Sequence, residues 1–529
     1  DIVTVLRSML GSTGTDEQYF AVKGRVIECL SVIGMSLKDQ YCEECAGIII
    51  QELQRVLAIQ GLSIDNPLFG FIESSCTRLA EILKERFAPF LPTIVEICLR
   101  RARLCVVSTN SKGEGIETLT VNGKSVAVHT AMSEEKRNAV NALSDFANDL
   151  DVIMYKYAQH TLETVLPLVK DPYDDGLREL SARCVFRLIR VLVHGRTLEV
   201  NSEETAKREL QPTILQCMEV LLQQIIDERY VETSQKLMEA ARWIANFMGT
   251  AFMTQESIAH FFTAMNDVYI NACRRIKDDD LSLEDAKEED DEEALDRCKQ
   301  RISIETDMRR ESQRLVDAVC RAHGMSVFSA FQSTLLNQIK VTLSNPKSLP
   351  TEKVYAISLA ATVAVCTGEE ELVQQVMTLL LTMIRTGENV ITNTIVLCTM
   401  LELPIVARYV GDVLNVIQPS FSLKQTRPKQ YSISILCFGK CILAAPSMFN
   451  EQYVSNWVKA LPTAYNTSET LSLLCEMIAK GLIKIDLHSM KQILTIFCEC
   501  ICNYASDLTE DTTTKVKQTL IQWSTTDTF

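Results

Sequence analysis

Apolar residues recur at three- and four-residue spacing along almost the whole chain, the period of an amphipathic helix. Val22–Ile33 reads as one such helix and Cys42–Ile59 as the next, with a break at Gly61–Pro67. A helix follows at about Phe69–Leu83, and Phe87–Pro92 leads into another ending near Arg103. The pairing returns as Lys136–Leu150 with Tyr155–Val169, Gly176–Leu192 with Pro212–Asp227, and Glu232–Met248 with Ser257–Ile276. Beyond Val327 the helices shorten but still alternate, as Glu352–Val365, Glu370–Arg385, Asn389–Leu401, Ile405–Ile417 and on to Trp523. Each pair occupies roughly 40 residues, the period of HEAT and armadillo-type arrays. A single pair cannot cover its own apolar stripe, whereas stacking on the next pair can. The expected fold is therefore all-α, a HEAT-repeat α-solenoid wound as a right-handed superhelix, with long concave and convex faces and no pocket shaped for a small substrate.

Two segments depart from the helical period. In Thr118–Val128, Leu119 and Val121 alternate on one side of Asn122-Gly123 and Val126 and Val128 on the other. Asn-Gly tolerates the positive φ of a two-residue turn, so a β-hairpin inserted at about 105–130 is expected, the plainer alternative being a loop. The second segment holds Asp278, Asp279, Asp280, Glu284, Asp285, Glu288, Glu289, Asp290, Asp291, Glu292 and Glu293, opposed only by Lys287. Such a run repels itself and buries no apolar area, which points to a mobile loop or the frayed start of a helix. The chain thus divides into HEAT repeats over 1–277, an acidic loop over 278–298 and further repeats over 299–529.

Length and charge sharpen this picture. A chain of 529 residues exceeds one compact core. Only 19 glycines and 13 prolines leave few turns, which favours long helices. A net charge of −15 repels phosphate backbones and argues against nucleic acid. It suits basic protein segments, although negative charge also simply keeps a large protein in solution. The 19 cysteines are scattered over apolar helix faces, as in Cys29, Cys76, Cys184 and Cys366, the habit of reduced core residues in cytosol or nucleus. No signal peptide is visible, and the chain opens at Asp1 without a Met on a helical pattern, which suggests a fragment. The most apolar stretch, Ile391–Val410, contains Asn393, Glu402, Pro404 and Arg408, so no membrane insertion is expected.

No motif assembles a reaction centre. Gly123-Lys124-Ser125 looks like the end of a phosphate loop, but Thr118 stands where the first glycine is required, and a strand follows rather than a helix. Cys42-x-x-Cys45 is half a zinc site with no second pair nearby, and Cys498, Cys500 and Cys502 sit in an apolar helix. The six histidines are isolated. The expectation is a protein that is not an enzyme and that needs no cofactor or metal.

Several phrases resemble the importin-β (karyopherin-β) family, and its importin beta-3 branch in particular. Phe87-Ala-Pro-Phe-Leu-Pro-Thr-Ile-Val95 resembles the entry into a second repeat helix. Val22–Gly34, Phe69–Leu83 and His160–Arg183, with Leu166-Pro167-Leu168 and Asp174-Asp175-Gly176, follow in the family's order and spacing. The acidic insertion, Leu436–Lys440 and Trp457–Pro462 continue the match. The resemblance looks like the family's C-terminal half. It implies a nuclear transport receptor of cytoplasm, nucleus and nuclear pore. Such a receptor binds localisation signals or folded cargo, engages phenylalanine–glycine nucleoporins between outer helices, and responds to Ran-GTP mainly through N-terminal repeats. Trp243-x-x-Asn246 resembles the tryptophan–asparagine arrays of armadillo adaptors, but occurs once and at the wrong spacing. The acidic run, Asp278–Glu293, is the candidate surface for basic cargo, with a solvated spacer as its alternative. A HEAT-repeat scaffold subunit of another complex would share every periodic feature.

Overall fold

The structure, a computed structural model, describes residues 2–12, 19–37, 41–59, 62–64, 66–108, 116–121, 124–288 and 291–525. The chain forms two units, one of Asp1–Arg275 with Asp279–His323, the other of Gly324–Phe529 with the short stretch Ile276–Asp278.

The first unit begins with α1 (Ile2–Ser12), α2 (Phe20–Leu37), α3 (Cys42–Leu57), α4 (Leu68–Leu83) and α5 (Leu91–Ala102). Strands β1 (Val107–Ser108), β2 (Ile116–Val121) and β3 (Lys124–His129) follow. The unit continues with α6 (Thr130–Leu150), α7 (Tyr155–Val165), α8 (Asp175–Val200), α9 (Glu203–Asp227), α10 (Val231–Met248), α11 (Gln255–Glu288) and α12 (Glu292–His323). Helices α2, α4, α6, α8, α10 and α12 stack side by side in one row. Helices α3, α5, α7 and α9 each pack against the helices before and after them in the chain. This is the helical-hairpin stacking of HEAT repeats.

The pattern of buried positions explains the stacking. On α4, Phe69, Ile72, Cys76, Leu79 and Leu83 lie on one stripe and are buried, as are Cys42, Cys45, Ile49, Leu53 and Val56 on α3. Removing each such large side chain from water contributes roughly 1.5–3 kcal/mol. The seam is also aromatic, where Phe87, in the 3₁₀ turn Lys84–Phe87, stacks on Phe146 of α6 at 5.8 Å. Buried ion pairs cross between elements at Lys23–Glu52 (2.6 Å), Lys136–Asp171 (3.2 Å) and Arg178–Glu228 (2.7 Å). Each is costly to break from one side, so each penalises a slipped repeat.

The inserted hairpin is present, with Val121 opposite Lys124 and Ile116 opposite His129. Its turn residues, Asn122 and Gly123, lie outside the described residues. A third strand extends the expected hairpin, since β1 pairs antiparallel with β3 and gives the order β1-β3-β2.

The second unit comprises α13 (Phe328–Ser333), α14 (Leu335–Ser344), α15 (Pro350–Thr367), α16 (Glu370–Arg385), α17 (Val390–Met400) and α18 (Val410–Ile417). It ends with α19 (Pro428–Ala444), α20 (Glu451–Lys459), α21 (Thr467–Ala479), α22 (Leu487–Asn503) and α23 (Glu510–Thr525). Here α15, α17, α19, α21 and α23 form the row. They begin at residues 350, 390, 428, 467 and 510, close to the 40-residue period read from the sequence. Pro404 opens a 3₁₀ turn, Pro404–Tyr409, so the apolar stretch 391–410 is split between elements. No helix among the described residues is long and apolar enough to cross a membrane.

Candidate partner-binding surfaces

The acidic run is not a loop as far as Glu288, which corrects the expectation for 278–298. Asp278, Asp279, Asp280, Glu284, Asp285 and Glu288 occupy the last turns of α11, and Glu292 and Glu293 the first turn of α12. Asp291 joins the two helices, and Glu289 and Asp290 lie outside the described residues. The helix persists because α12 runs back along it and supplies what the acidic stretch lacks. Arg301 reaches Asp279 at 3.3 Å, Arg275 pairs with Glu305 at 2.8 Å, and Ala286 and Cys298 are buried along the seam. Burial raises the Glu305 carboxyl above its usual range against the pull of Arg275. The Asp291 carboxylate accepts from the Ala294 amide at 2.9 Å, and the acidic first turn of α12 complements the positive end of its dipole. The fold thus gathers the acidic residues at one end of a helical hairpin. There Asp278, Glu284, Asp285, Glu288, Asp291, Glu292 and Glu293 are exposed, while Asp279 and Asp280 are half-buried.

A second surface, along the row from α6 to α10, escaped the sequence reading. Arg183, Arg187 and Arg190 form one stripe of α8 and meet Asn141, Asp145 and Asn148 of α6 at 2.8, 3.0 and 3.3 Å. Both triplets are spaced i, i+4, i+7, so three rungs close together only when the two helices are in register. That matched spacing, about 42 residues apart, was the signal available in the sequence. The same face continues into aromatics, with Phe186 against Trp243 at 5.4 Å and His194 against Phe247 at 5.8 Å. Trp243 is half-buried and Asn246 is exposed, so the two do not act as one peptide clamp.

A third surface is a groove of about 660 Å³ in the second unit, lined by Phe421, Tyr431, Phe438, Tyr453 and Trp457 among others. Trp457 is fully buried and its indole N–H donates to the Ile435 carbonyl at 2.8 Å, so it forms the floor. Tyr453, about half exposed, forms the rim. The groove can receive apolar or aromatic side chains.

The candidates for chemistry separate. Cys42 and Cys45 are both buried in the first turn of α3, and burial with Cys42 and Glu44 nearby pushes the Cys45 thiol up to about 11. Of Cys498, Cys500 and Cys502 only Cys500 is buried. No group of three His, Cys, Asp or Glu among the described residues is placed to hold a metal ion.

No protein-family model matches the chain. Among curated proteins, importin subunit beta-3 of Saccharomyces cerevisiae is 25% identical over 303 residues, 53% of this chain and 27% of that protein. A probable importin-5 homolog of Dictyostelium discoideum is 23% identical over 180 residues, 34% of this chain and 16% of that protein. Among solved structures, the karyopherin Kap121p bound to RanGTP matches with a TM-score of 0.71 at 17% identity, over 98% of this chain and 47% of that one. Kap121p bound to Nup53p matches with a TM-score of 0.69 at 15% identity, over 97% and 49%. The chain spans about half the length of these solved relatives, and its matched segments cover less of the curated ones.

Proposed function

We propose that this chain, which belongs to the importin-β (karyopherin-β) family, works as the C-terminal half of a nuclear transport receptor. The receptor carries protein cargo between cytoplasm and nucleus through the nuclear pore and releases or loads it in response to Ran-GTP. The observation that carries this reading is the 303-residue match to importin subunit beta-3. The common fold and the relatives whose structures hold RanGTP and Nup53p support it. Basic cargo segments are drawn to the acidic end of the α11–α12 hairpin, and phenylalanine–glycine nucleoporins use apolar grooves, of which the one floored by Trp457 is a candidate. Ran-GTP acts mainly through repeats that precede these in the family. The chain catalyses no reaction of its own.

The test is a pull-down from cell extract with the full-length protein, with and without Ran locked in its GTP form, beside immobilised phenylalanine–glycine repeat peptides. A transport receptor retains the repeat peptides and changes its captured proteins when Ran-GTP is added. A protein that ignores both is a HEAT-repeat scaffold.

A further inference from the structure

A cleft of about 440 Å³ opens between α2, α4 and α6, and borders the arginine stripe of α8 at Asn141 and Asp145. Glu28, Glu73, Glu134, Glu135 and Asp145 line it, and Arg78 is the single basic side chain among them. The floor is a built charge cluster. Arg101, from the last turn of α5, is fully buried over the Phe69 ring and hydrogen-bonds both Glu73 and Glu135 through its two terminal nitrogens. One guanidinium therefore serves two carboxylates. Glu73 is almost completely buried, and its second oxygen, Oε1, has no hydrogen-bond partner. From α5 the Cys98 thiol, a weak donor, also faces this carboxyl.

The chain's own cations around the cleft already have partners, among them Arg187, which holds Asp145 at 3.0 Å. Arg78 reaches Ser31 at 3.2 Å and Glu28 at 3.9 Å, and Arg25 holds Glu28 at 2.8 Å. Lys23 is bound to Glu52 at 2.6 Å. On α6, Lys136 is paired with Asp171 at 3.2 Å and Arg137 with Asp174 at 3.2 Å. A buried carboxylate oxygen with no partner in an acidic cleft is a site lacking a cation donor.

We propose that this cleft is a receptor for a basic side chain, arginine or lysine, carried by an extended segment of a protein partner. The incoming cation donates to Glu73 Oε1 and shares the field of Glu135 and Glu134. Phe71, which lines one side and already lies under the Arg25 guanidinium at 5.4 Å, offers an aromatic face to the stem. The inference rests on the transport-receptor reading for the class of partner. The cation site itself is a property of these residues.

The test is fluorescence anisotropy with the full chain and a labelled arginine- and lysine-rich peptide, beside the same peptide with glutamine at every basic position. Ser74 and Glu134 line the cleft at exposed helix positions, so Ser74→Lys and Glu134→Lys each place a cation at its mouth. Each is expected to weaken the basic peptide about tenfold, and the glutamine peptide is expected not to bind. Glu499→Lys, at an exposed position of α22 in the second unit, is expected to leave this affinity unchanged. Thermal melts accompany every variant, and Ser74→Lys, which removes no contact, keeps the answer open to refutation should Glu134→Lys unfold. Equal affinity for the parent and both cleft variants overturns the proposal. So does tighter binding of a free polyamine than of the peptide. If the peptide binds at the cleft while full-length protein ignores Ran-GTP, the cleft stands and the transport reading falls.

Discussion

Gly439 of α19 sits where a Cβ would lie 2.5 Å from Leu473 Cδ2 and 2.7 Å from Trp457 Cε2. Trp457 cannot swing aside, because it is fully buried and its indole is held by the Ile435 carbonyl. Gly439→Ala should therefore destabilise the second unit by about 1–3 kcal/mol, the usual cost of overpacking. Gly411 of α18 has no atom within 4 Å of the same added carbon. Gly411→Ala should gain roughly 0.5–1 kcal/mol from helix propensity alone. Thermal unfolding of the two variants reads the opposite signs, and a common sign refutes the packing argument. Glu73 makes a second residue-scale test. Burial, against the opposing pull of Arg101, raises its carboxyl from 4.5 to about 7. A carboxyl whose folded value is raised favours the native state most below its unfolded value and loses that contribution as pH climbs through the folded one. The stability of Glu73→Gln relative to the parent should therefore rise between about pH 4.5 and 7 and level off above. A constant difference in melting temperature across that range would show that Glu73 does not titrate there. None of this was legible beforehand, because Arg101 reads as an ordinary basic residue ending a helix. Its carboxylate partners lie 28 and 34 residues away, and only the stacking of α4, α5 and α6 brings them together.

At the scale of elements, periodicity located most helices, and caps and turns decided their ends. α16 has the bounds expected from its pattern, Glu370–Arg385, because the Glu369 side chain accepts from the Leu372 amide and marks its start. α9 begins at Glu203 and not at Pro212, because Ser202 caps it at the Thr205 amide and Glu203 and Glu204 suit its dipole. Pro212 is then carried inside the helix at the loss of one backbone hydrogen bond. α11 overran its expected end at Ile276 by three turns, since its seam with α12 outweighs the self-repulsion that a charge count sees. Asp174 shows how much one cap can hold. Its carboxylate accepts from the Leu177 amide at 2.9 Å and from the Ser133 hydroxyl, and pairs with Arg137 at 3.2 Å. Asp174→Ala removes the cap of α8 and its tie to α6 together. We expect a loss of about 2 kcal/mol, at the upper end for caps, and faster amide exchange in the first turn of α8. Asp174→Asn should recover most of the cap and little of the ion pair, and a variant as weak as alanine would locate the effect in the charge.

At the scale of the whole molecule, the sequence carried the repeat and the sign of the charge but not where the charge would collect. A period near 40 residues recurs in the starts of α15, α17, α19, α21 and α23, since each hairpin must meet the next at the same depth. The acidic residues, by contrast, become a surface only once α12 folds back on α11. Charge gathered at one end of a hairpin acts mainly on encounter, because exposed ions attract a partner from a distance yet contribute little once in contact. Neutralising Asp278, Glu284, Asp285 and Glu288 together as Asn and Gln should therefore slow association with a lysine-rich partner, by about tenfold at roughly 50 mM salt. Dissociation should hardly change. The deficit should close as salt shortens the screening length from about 10 Å at 0.1 M towards 3 Å at 1 M. Stopped-flow association at several salt concentrations separates the two possibilities for this hairpin. Steering gives rates that diverge at low salt and converge at high salt, whereas a solvated spacer gives superimposable rates throughout.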